Sequence, residues 1–347
     1  MKNIQKAILI SFISSTIIVM IQNPSINNLL NFFIMPFSSP YFIGYFLDKF
    51  SLLLFACVGC FISLTTNNVN LGGQGQIYLG GFFTALILSS VPEIKFLSPL
   101  FIFITFIFVF SIGGLICFIS SYLKSKKNIN ELLTTFIISS FIIYILDFLI
   151  SNPLQDKSTN LLAMQEIQNI FQINHLKNFS TLNITIFISI FLAIGCLVFF
   201  SKTQLGHKFL LSGKAPEFSK FRGFNVTLYN HLSMFVSGGL NSTCGFFAVI
   251  ATYYTCFQGF YLGIGWNALT AALICSFNAK LLIPSCLLLS YFFTATDCAM
   301  ITNSISSGTS EIIQGILFLS SAIPYLKKET TNEFISYAEP VSNQKPL

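Results

Sequence analysis

Asn67-Asn68-Val69-Asn70-Leu71-Gly72-Gly73-Gln74-Gly75-Gln76 is a run of amides and glycines set between two largely apolar stretches, 51–64 and 77–88. In water it would be an ordinary loop. In an apolar medium it cannot face its surroundings, because every amide or peptide group without a partner there costs several kcal/mol. Such a run lines a cavity or packs between helices. Packing through small residues needs only the glycines, so the amides argue for a polar interior.

The rest of the chain decides which medium applies. Of 347 residues, 54% are hydrophobic and 9% charged, with a mean hydropathy of +0.75, whereas a soluble domain carries about 25% charged residues. These figures exclude an ordinary soluble enzyme as well as fibrous, disordered and disulfide-rich classes. The 41 Phe reflect a compositional bias rather than an aromatic binding surface. The nine Cys, at 57, 60, 117, 196, 244, 256, 275, 286 and 298, lie almost entirely within apolar segments. Their odd number and lack of His/Cys clustering speak against disulfides or zinc. Cys57 and Cys60 form a C-x-x-C in an uncharged run and read as packing residues.

Apolar runs give ten candidate spans at about 7–21, 50–65, 70–91, 99–123, 131–150, 184–200, 231–252, 259–277, 281–297 and 310–326. The first, behind Lys2 and Lys6, resembles a signal peptide but lacks a small-x-small cleavage site, so it reads as an uncleaved helix. Ten spans put both termini on one side. With the amino terminus inside, the cytoplasmic cations are Lys2, Lys6, Lys124, Lys126, Lys127, Lys202, Lys208, Lys214, Lys220, Arg222, Lys280, Lys327, Lys328 and Lys345. Only Lys49, Lys95, Lys157 and Lys177 fall outside, and short cytoplasmic loops are the ones that retain Lys and Arg. The net charge of +6 is thus a matter of membrane orientation, and no nucleic acid partner is implied. Domain organisation follows: one membrane domain over 1–330, with a cytoplasmic loop at 201–230 and a disordered cytoplasmic tail at 331–347.

Two external segments are long, 22–49 and 151–183. Within the second, Leu162, Met164, Ile167, Ile170 and Phe171 fall roughly on one face of a helix over 161–171, which would lie on the bilayer or cap the bundle, or else dock an external partner. An internal repeat is also visible. Tyr78-Leu79-Gly80 and Tyr261-Leu262-Gly263 each open a Gly-rich segment in the third span of a five-span half, and the halves run in opposite directions. Glycine-broken segments at matching positions of inverted repeats point to a central transport site.

Groups for catalysis are scarce. His175, His207 and His231 pair with no Cys or carboxylate at metal or catalytic spacing, and no G-x-x-x-x-G-K-[ST] sequence occurs, so no catalytic, metal or cofactor residues are assigned in this chain. Asp147, Asp297 and Glu311 lie near the external ends of their spans. No carboxylate falls near the midplane, where an ion-coupled carrier would more often place one.

Asn70 to Gln76, N-x-G-x-x-G-Q, resembles the N-[IL]-G-x-E-G-Q signature of the permease subunits of bacterial ABC importers for nucleosides and simple sugars, a branch related to ribose and branched-chain amino acid permeases. Further matches follow in order. Asn130-Glu131-Leu132-Leu133-Thr134-Thr135 is similar to that branch's N-E-[VI]-x-T; Thr203-Gln204-Leu205-Gly206 with Gly213, Pro216 and Gly223-Phe224-Asn225-Val226 is similar to its cytoplasmic loop; Ser237-Gly238-Gly239-Leu240, Gly245, Gly263-Ile264 and Gly315 complete the set. The resemblance covers roughly 50–326. Three departures stand out: Gln74 replaces a usual Glu, the loop lacks Arg-Ala before Gly213, and Trp266-Asn267 replace small apolar residues.

The resemblance implies an all-α integral membrane protein of about ten helices in two inverted five-helix halves, serving as a permease subunit in a bacterial cytoplasmic membrane. Its implied partners are an ABC ATPase that uses ATP and Mg, a second permease subunit, identical or paralogous, an external solute-binding lipoprotein and membrane lipid. The expected substrate pathway comprises Asn70, Gly72, Gly73, Gln74, Gly75, Gln76, Phe260, Gly263, Gly265, Trp266 and Asn267. The expected ATPase-coupling segment comprises Gly206, Gly213, Lys214, Ala215, Pro216, Glu217, Phe218, Lys220, Arg222 and Gly223, with a short helix over 215–222: Pro216 suits a first turn and the charges match the helix dipole. Amides suit a neutral solute, so purine nucleosides are the expected cargo and simple sugars such as ribose or galactose the alternative. Trp266 offers a stacking face or an interfacial anchor. A secondary transporter is the rival of a different class, and a structural membrane protein, which would have no polar central cavity, is a second.

The cation asymmetry yields a topology that thiol labelling checks. On a Cys-free background, Lys126→Cys and Lys214→Cys are expected to resist an impermeant reagent applied outside, and Lys157→Cys to react with it; the reverse pattern overturns the orientation.

Overall fold

The computed structural model describes residues 12–21, 25–176, 180–275, 277–301, 312, 313, 315, 316, 318 and 319. Among them the chain is helical, with one isolated β-bridge, Ala163 to Phe257. In chain order the helices are α1 (Phe12–Ile21), α2 (Ile26–Ile34), α3 (Pro40–Thr65), α4 (Gly73–Ser90), α5 (Ser98–Lys127), α6 (Glu131–Ser151), α7 (Thr185–Lys202), α8 (Gln204–Lys214), α9 (Pro216–Phe221), α10 (Val226–Phe247), α11 (Ile264–Cys275) and α12 (Leu282–Ile301). Short polar residues start them. Ser39, Asn130, Thr203 and Asn225 accept the backbone N–H of Phe42, Leu132, Gly206 and Leu228 at 2.8–3.2 Å, each meeting one of the free donors of a first turn.

Among the described residues six segments are long and apolar enough to cross a membrane: Pro40–Thr65, Lys95–Lys127, Glu131–Ser151, Thr185–Lys202, Val226–Tyr253 and Ala279–Ile301. Their burial separates centre from rim. The apolar windows of α3 and α10 are 83% and 89% buried, against 28%, 22% and 33% for α5, α6 and α7. Outward residues of the rim helices, such as Phe103, Phe141 and Phe191, are apolar and exposed. α10 packs against α3, α4 and α5, and α3 also against α7, α11 and α12. The α4–α10 contact is a backbone approach: a Cβ on Gly80 would collide with the Ser242 carbonyl, and one on Gly245 with the Ile77 carbonyl. Small residues are what bring helices this close where water supplies no hydrophobic drive.

Several expected boundaries change. The segment 22–49 is not a loop from end to end: α2 occupies part of it, and α3 begins at Pro40 behind the Ser39 cap, so Asp48 and Lys49 are helical. The stretch 161–171 is not a helix. It runs extended, with Met164 N and Ile167 N donating to Cys256 O and Tyr254 O at 2.9 Å, and closes in a 3-10 turn at Asn169–Phe171. Ala163, Met164, Ile167 and Phe171 are all buried. The apolar spacing that looked like one helical face follows the irregular edge of the π-helical turn Ala248–Tyr253 and its exit. The span 259–277 is helical only from Ile264; twelve residues reach about 18 Å, little over half the bilayer core. The tail 331–347 and most of the tenth expected span lie outside the described residues, and the arrangement seen is a multi-helix membrane bundle rather than a demonstrated pair of five-helix halves.

The glycine contacts make a stability prediction. Gly80→Val or Gly245→Val should destabilise the bundle by about 1–3 kcal/mol through overpacking, whereas Gly195→Ala, with nothing within 4 Å of the added carbon, should change stability by no more than about 1 kcal/mol. The nine buried free cysteines allow unfolding in detergent to be followed with a thiol-reactive dye.

Candidate functional site

Six residues, Thr66 to Leu71, carry the chain from the end of α3 to Gly72, the residue capping α4. Asn67 turns the backbone into the left-handed region, φ 57°, a conformation Asn tolerates better than most residues. Asn70 then folds its side chain back: its Oδ1 accepts from Gly72 N at 2.9 Å and Gln76 Nε2 at 3.2 Å, while its Nδ2 donates to Gln76 Oε1 at 2.9 Å and Ser237 Oγ at 3.0 Å. Gln76 Oε1 also accepts from Asn241 Nδ2 at 2.8 Å, and the Gln76 carbonyl accepts from Ser242 Oγ at 2.9 Å. From the other side α6 supplies hydroxyls: Leu71 N donates to Thr135 Oγ1 at 3.2 Å and Gly75 N to Ser139 Oγ at 2.9 Å. Asn70 and Gln76, 1% and 2% exposed, thus hold α4, α6 and α10 together.

The second Gly-rich segment meets the first. Gly259, Leu262 and Gly263 all have positive φ, at 74°, 43° and 75°, and the turn they form delivers α11 against the start of α4. A Cβ on Gly265 would lie 2.5 Å from Gln74 N, and one on Gly73 3.2 Å from Gly265 Cα. Phe260 is buried, with its ring 6.5 Å from that of Tyr78 and against Gly81; Tyr261 meets Tyr78 edge-on at 5.5 Å.

The remaining expected pathway residues divide between two faces. Gln74 is half-buried, and its side-chain amide makes no hydrogen bond among the described residues. Trp266, also half-buried, packs against Phe136 of α6 at 6.3 Å and Phe318 at 5.7 Å. An uncommitted amide and a ring surface lie on the flank formed by α4, α6 and α11. Asn267 instead lines a small cavity of about 50 Å³ with Tyr45, Asp48, Lys49 and Ser290. Asp48 is 3% exposed and accepts from Asn183 Nδ2 at 3.0 Å and Thr252 Oγ1 at 3.2 Å. Lys49 pairs with Asp297, which also accepts from Tyr45 at 3.0 Å. The sequence reading took Lys49 and Asp297 only as external charges and gave Asp48 no role; the signal for Asp48 and Lys49 was Ser39-Pro40, a helix start that pulls them into α3.

The expected coupling segment is helical where Pro216 and the charge order place it. α9 has Pro216 in its first turn, Glu217 bonded to Lys220 at 3.0 Å, and Arg222 over the Phe218 ring at 5.3 Å. Gly223, φ 79°, turns the chain away. Phe221 is 90% exposed, an aromatic side chain held out from the end of a charged turn. Gly206 sits against the Phe199 carbonyl and Gly213 against Thr65 and Thr66, so α8 joins α9 to the ends of both α7 and α3. Lys214 and Ala215 form the joint between α8 and α9.

Residues 42–322 match the family described as the permease component of the branched-chain amino acid transport system. The chain is similar to the "Probable riboflavin import permease protein RfuC" of Treponema pallidum, 33% identical, covering 90% of this chain and 81% of that protein. It is also similar to the guanosine ABC transporter permease NupP of Bacillus subtilis, at 22% identity over 83% of each chain, and to the nucleoside ABC transporter permease NupB of Lactococcus lactis, at 25% over 70% and 68%.

The bonding pattern separates two neighbouring glutamines. Gln76→Ala strands amide donors of Asn70 and Asn241 in a buried setting and should cost about 1–3 kcal/mol; Gln74→Ala should leave the unfolding temperature within about 2 °C, the shift that roughly 0.5 kcal/mol gives a protein of this size. Thermal unfolding of the two variants side by side checks this.

Proposed function

The chain belongs to this family of transport-system permease components, and from that premise we propose that it is the translocating subunit of an ABC importer for riboflavin. A flat nitrogen heterocycle with a hydroxylated chain is the solute class, and purine nucleosides, which share that chemistry, are the second reading. The riboflavin permease relative at 33% identity over 90% of the chain carries the choice of solute, and the guanosine and nucleoside permeases favour the second reading.

The flank of Gln74, Phe136 and Trp266 is where the solute would pass. Its chemistry suits such a cargo: an amide both donates and accepts at ring edges and hydroxyls, and aromatic faces stack on a flat ring. Among the described residues Gln74, Phe136 and Trp266 bring no full charge to it, which suits a neutral solute. A second permease subunit, identical or paralogous, would close the pathway across this flank. The Asn70–Gln76 lock lies behind it and sets the position of Gln74. The solute-binding lipoprotein would deliver from the side of the extended segment 161–171, and lipid would surround α5 and α7.

Energy would enter at α9. A helix of six residues with an exposed Phe221 and a compact charge pair is a small rigid knob for a groove on the ATPase, which binds the ATP and Mg. This chain contributes positions and motion, not hydrolysis.

Uptake by proteoliposomes carrying the whole complex tests the proposal, with riboflavin followed by its own fluorescence and labelled guanosine and ribose as comparators. ATP-dependent uptake of riboflavin is expected, with Trp266→Ala raising its KM about tenfold, equivalent to about 1.4 kcal/mol. Uptake of ribose without riboflavin or guanosine would refute the solute class. Unchanged kinetics in both Trp266→Ala and Gln74→Ala would remove that flank from the pathway.

A further inference from the structure

Besides Lys49–Asp297, a second ion pair among the described residues lies outside both the flank and the coupling helix. Lys124, in the last turn of α5, donates to Glu131 Oε1 at 2.6 Å and to Asn68 Oδ1 at 2.8 Å. Glu131 is the first residue of α6 and Asn68 is a fully buried residue of the α3–α4 connection. The ammonium therefore bridges two segments that no backbone hydrogen bond joins there. Its surroundings are ordered on both sides. Asn128, φ 53°, ends α5 and turns the chain toward α6; Asn130 caps α6 through Leu132 N at 2.8 Å. One turn into α6, Thr135 holds Leu71 N. The first turn of α6 thus grips both ends of the 68–71 connection, one through Lys124 and one directly.

The connection also touches the segment leading to α9. Asn68 Nδ2 donates to Thr66 Oγ1 at 2.9 Å, and Thr66 Oγ1 shares a hydrogen bond with Ser233 of α10 at 2.5 Å. A Cβ on Gly213, at the end of α8, would lie 2.7 Å from Thr66 Cα, so α8 can hardly shift without moving this point. From α9 the contacts run without a gap through α8, Thr66, Asn68, Lys124 and Glu131 into α6, the helix that presents Phe136 to the flank.

We propose that Lys124, with Asn68 and Glu131, is a positioning device that passes motion of the α8–α9 segment to the inner end of α6, so that displacement at the ATPase opens or closes the flank lined by Phe136. The proposal rests on the importer reading. Physical economy favours a charge at this point. A partly exposed Lys–Glu pair contributes little to stability, so its loss can loosen the linkage without unfolding the bundle, and charge-assisted bonds at 2.6 and 2.8 Å fix direction better than apolar contact does.

The test measures ATP hydrolysis and riboflavin or guanosine uptake together, in proteoliposomes holding the full complex. Lys124→Met keeps an unbranched side chain one atom shorter and removes the charge; Asn68→Asp keeps an acceptor for Lys124 but loses the donor to Thr66. Both should lower solute moved per ATP at least tenfold, with ATP hydrolysis within about twofold of wild type and the unfolding temperature lowered by no more than a few degrees, the cost of the buried Asn68 groups left without a partner. The exchange Lys124→Glu with Glu131→Lys restores the ion pair and should recover part of the coupling that either single change removes. Wild-type stoichiometry in Lys124→Met, or equal loss of hydrolysis, uptake and unfolding temperature in every variant, would overturn the device. Wild-type complex that takes up no solute with ATP would instead overturn the importer reading, and the device with it.

Discussion

After Thr66 the chain leaves α3 for the bundle interior: the N–H groups of Thr66, Asn67 and Asn68 still bond back to α3 carbonyls, but those of Leu71 and Gly72 have to be met by side chains, Thr135 and Asn70. That requirement organises the centre of the protein. Asn70 and Gln76 answer each other and recruit Ser237 and Asn241 from α10, while Thr135 and Ser139 answer from α6. Each of these bonds is individually worth about 1 kcal/mol net, but leaving one partner out costs more than the bond itself contributes. The network is therefore kept whole or not at all, and three helices acquire a fixed relation at one point.

Consequences for transport follow from what the lock leaves over. With Gln76 turned inward, Gln74 faces the other way, and α11 comes close enough through Gly265 to set Trp266 beside it. A polar and aromatic flank results, whereas the outward side chains of α5 and α7, such as Phe103 and Phe191, are apolar. Behind it the bundle is dense, with α4 and α10 in backbone contact; toward the inner end, Lys124 and Glu131 connect the same point to the loops. With the proposed linkage through Lys124, a rigid centre would have one edge able to move, the arrangement an alternating-access subunit needs, because interfaces that switch between discrete packings transmit motion better than soft ones.

Much of this was legible in the sequence, and the exceptions have physical reasons. Amides amid apolar residues at 67–76 announced a broken segment at membrane depth, and Pro216, Glu217, Lys220 and Gly223 marked the bounds of α9. Which amide is turned inward was not legible, since Gln74 and Gln76 differ only in what α10 and α11 bring to them. The pair Asp48-Lys49 looked like the edge of a span, yet the Ser39-Pro40 cap starts α3 earlier and buries Asp48 beside Asn183, 135 residues away. At 161–171 five apolar residues suited a helix, but the backbone donors of Met164 and Ile167 found acceptors on the exit of α10, and a short segment takes whichever partner satisfies it. The glycines at 259 and 263 signalled a break; that it leaves α11 only twelve residues long depends on Leu262 also adopting positive φ, φ 43°, which no residue type announces.

The account turns on the claim that Gln74 faces the solute while Gln76 belongs to the lock. Because the native cysteines are buried, Gln74→Cys and Gln76→Cys can be compared in the otherwise unaltered complex, by the rate at which a small maleimide modifies each with and without saturating riboflavin. The account predicts rapid modification at position 74, slowed at least tenfold by riboflavin, and none at position 76 in folded protein. Reaction at 76 that riboflavin blocks, with position 74 inert or indifferent to it, would contradict the account.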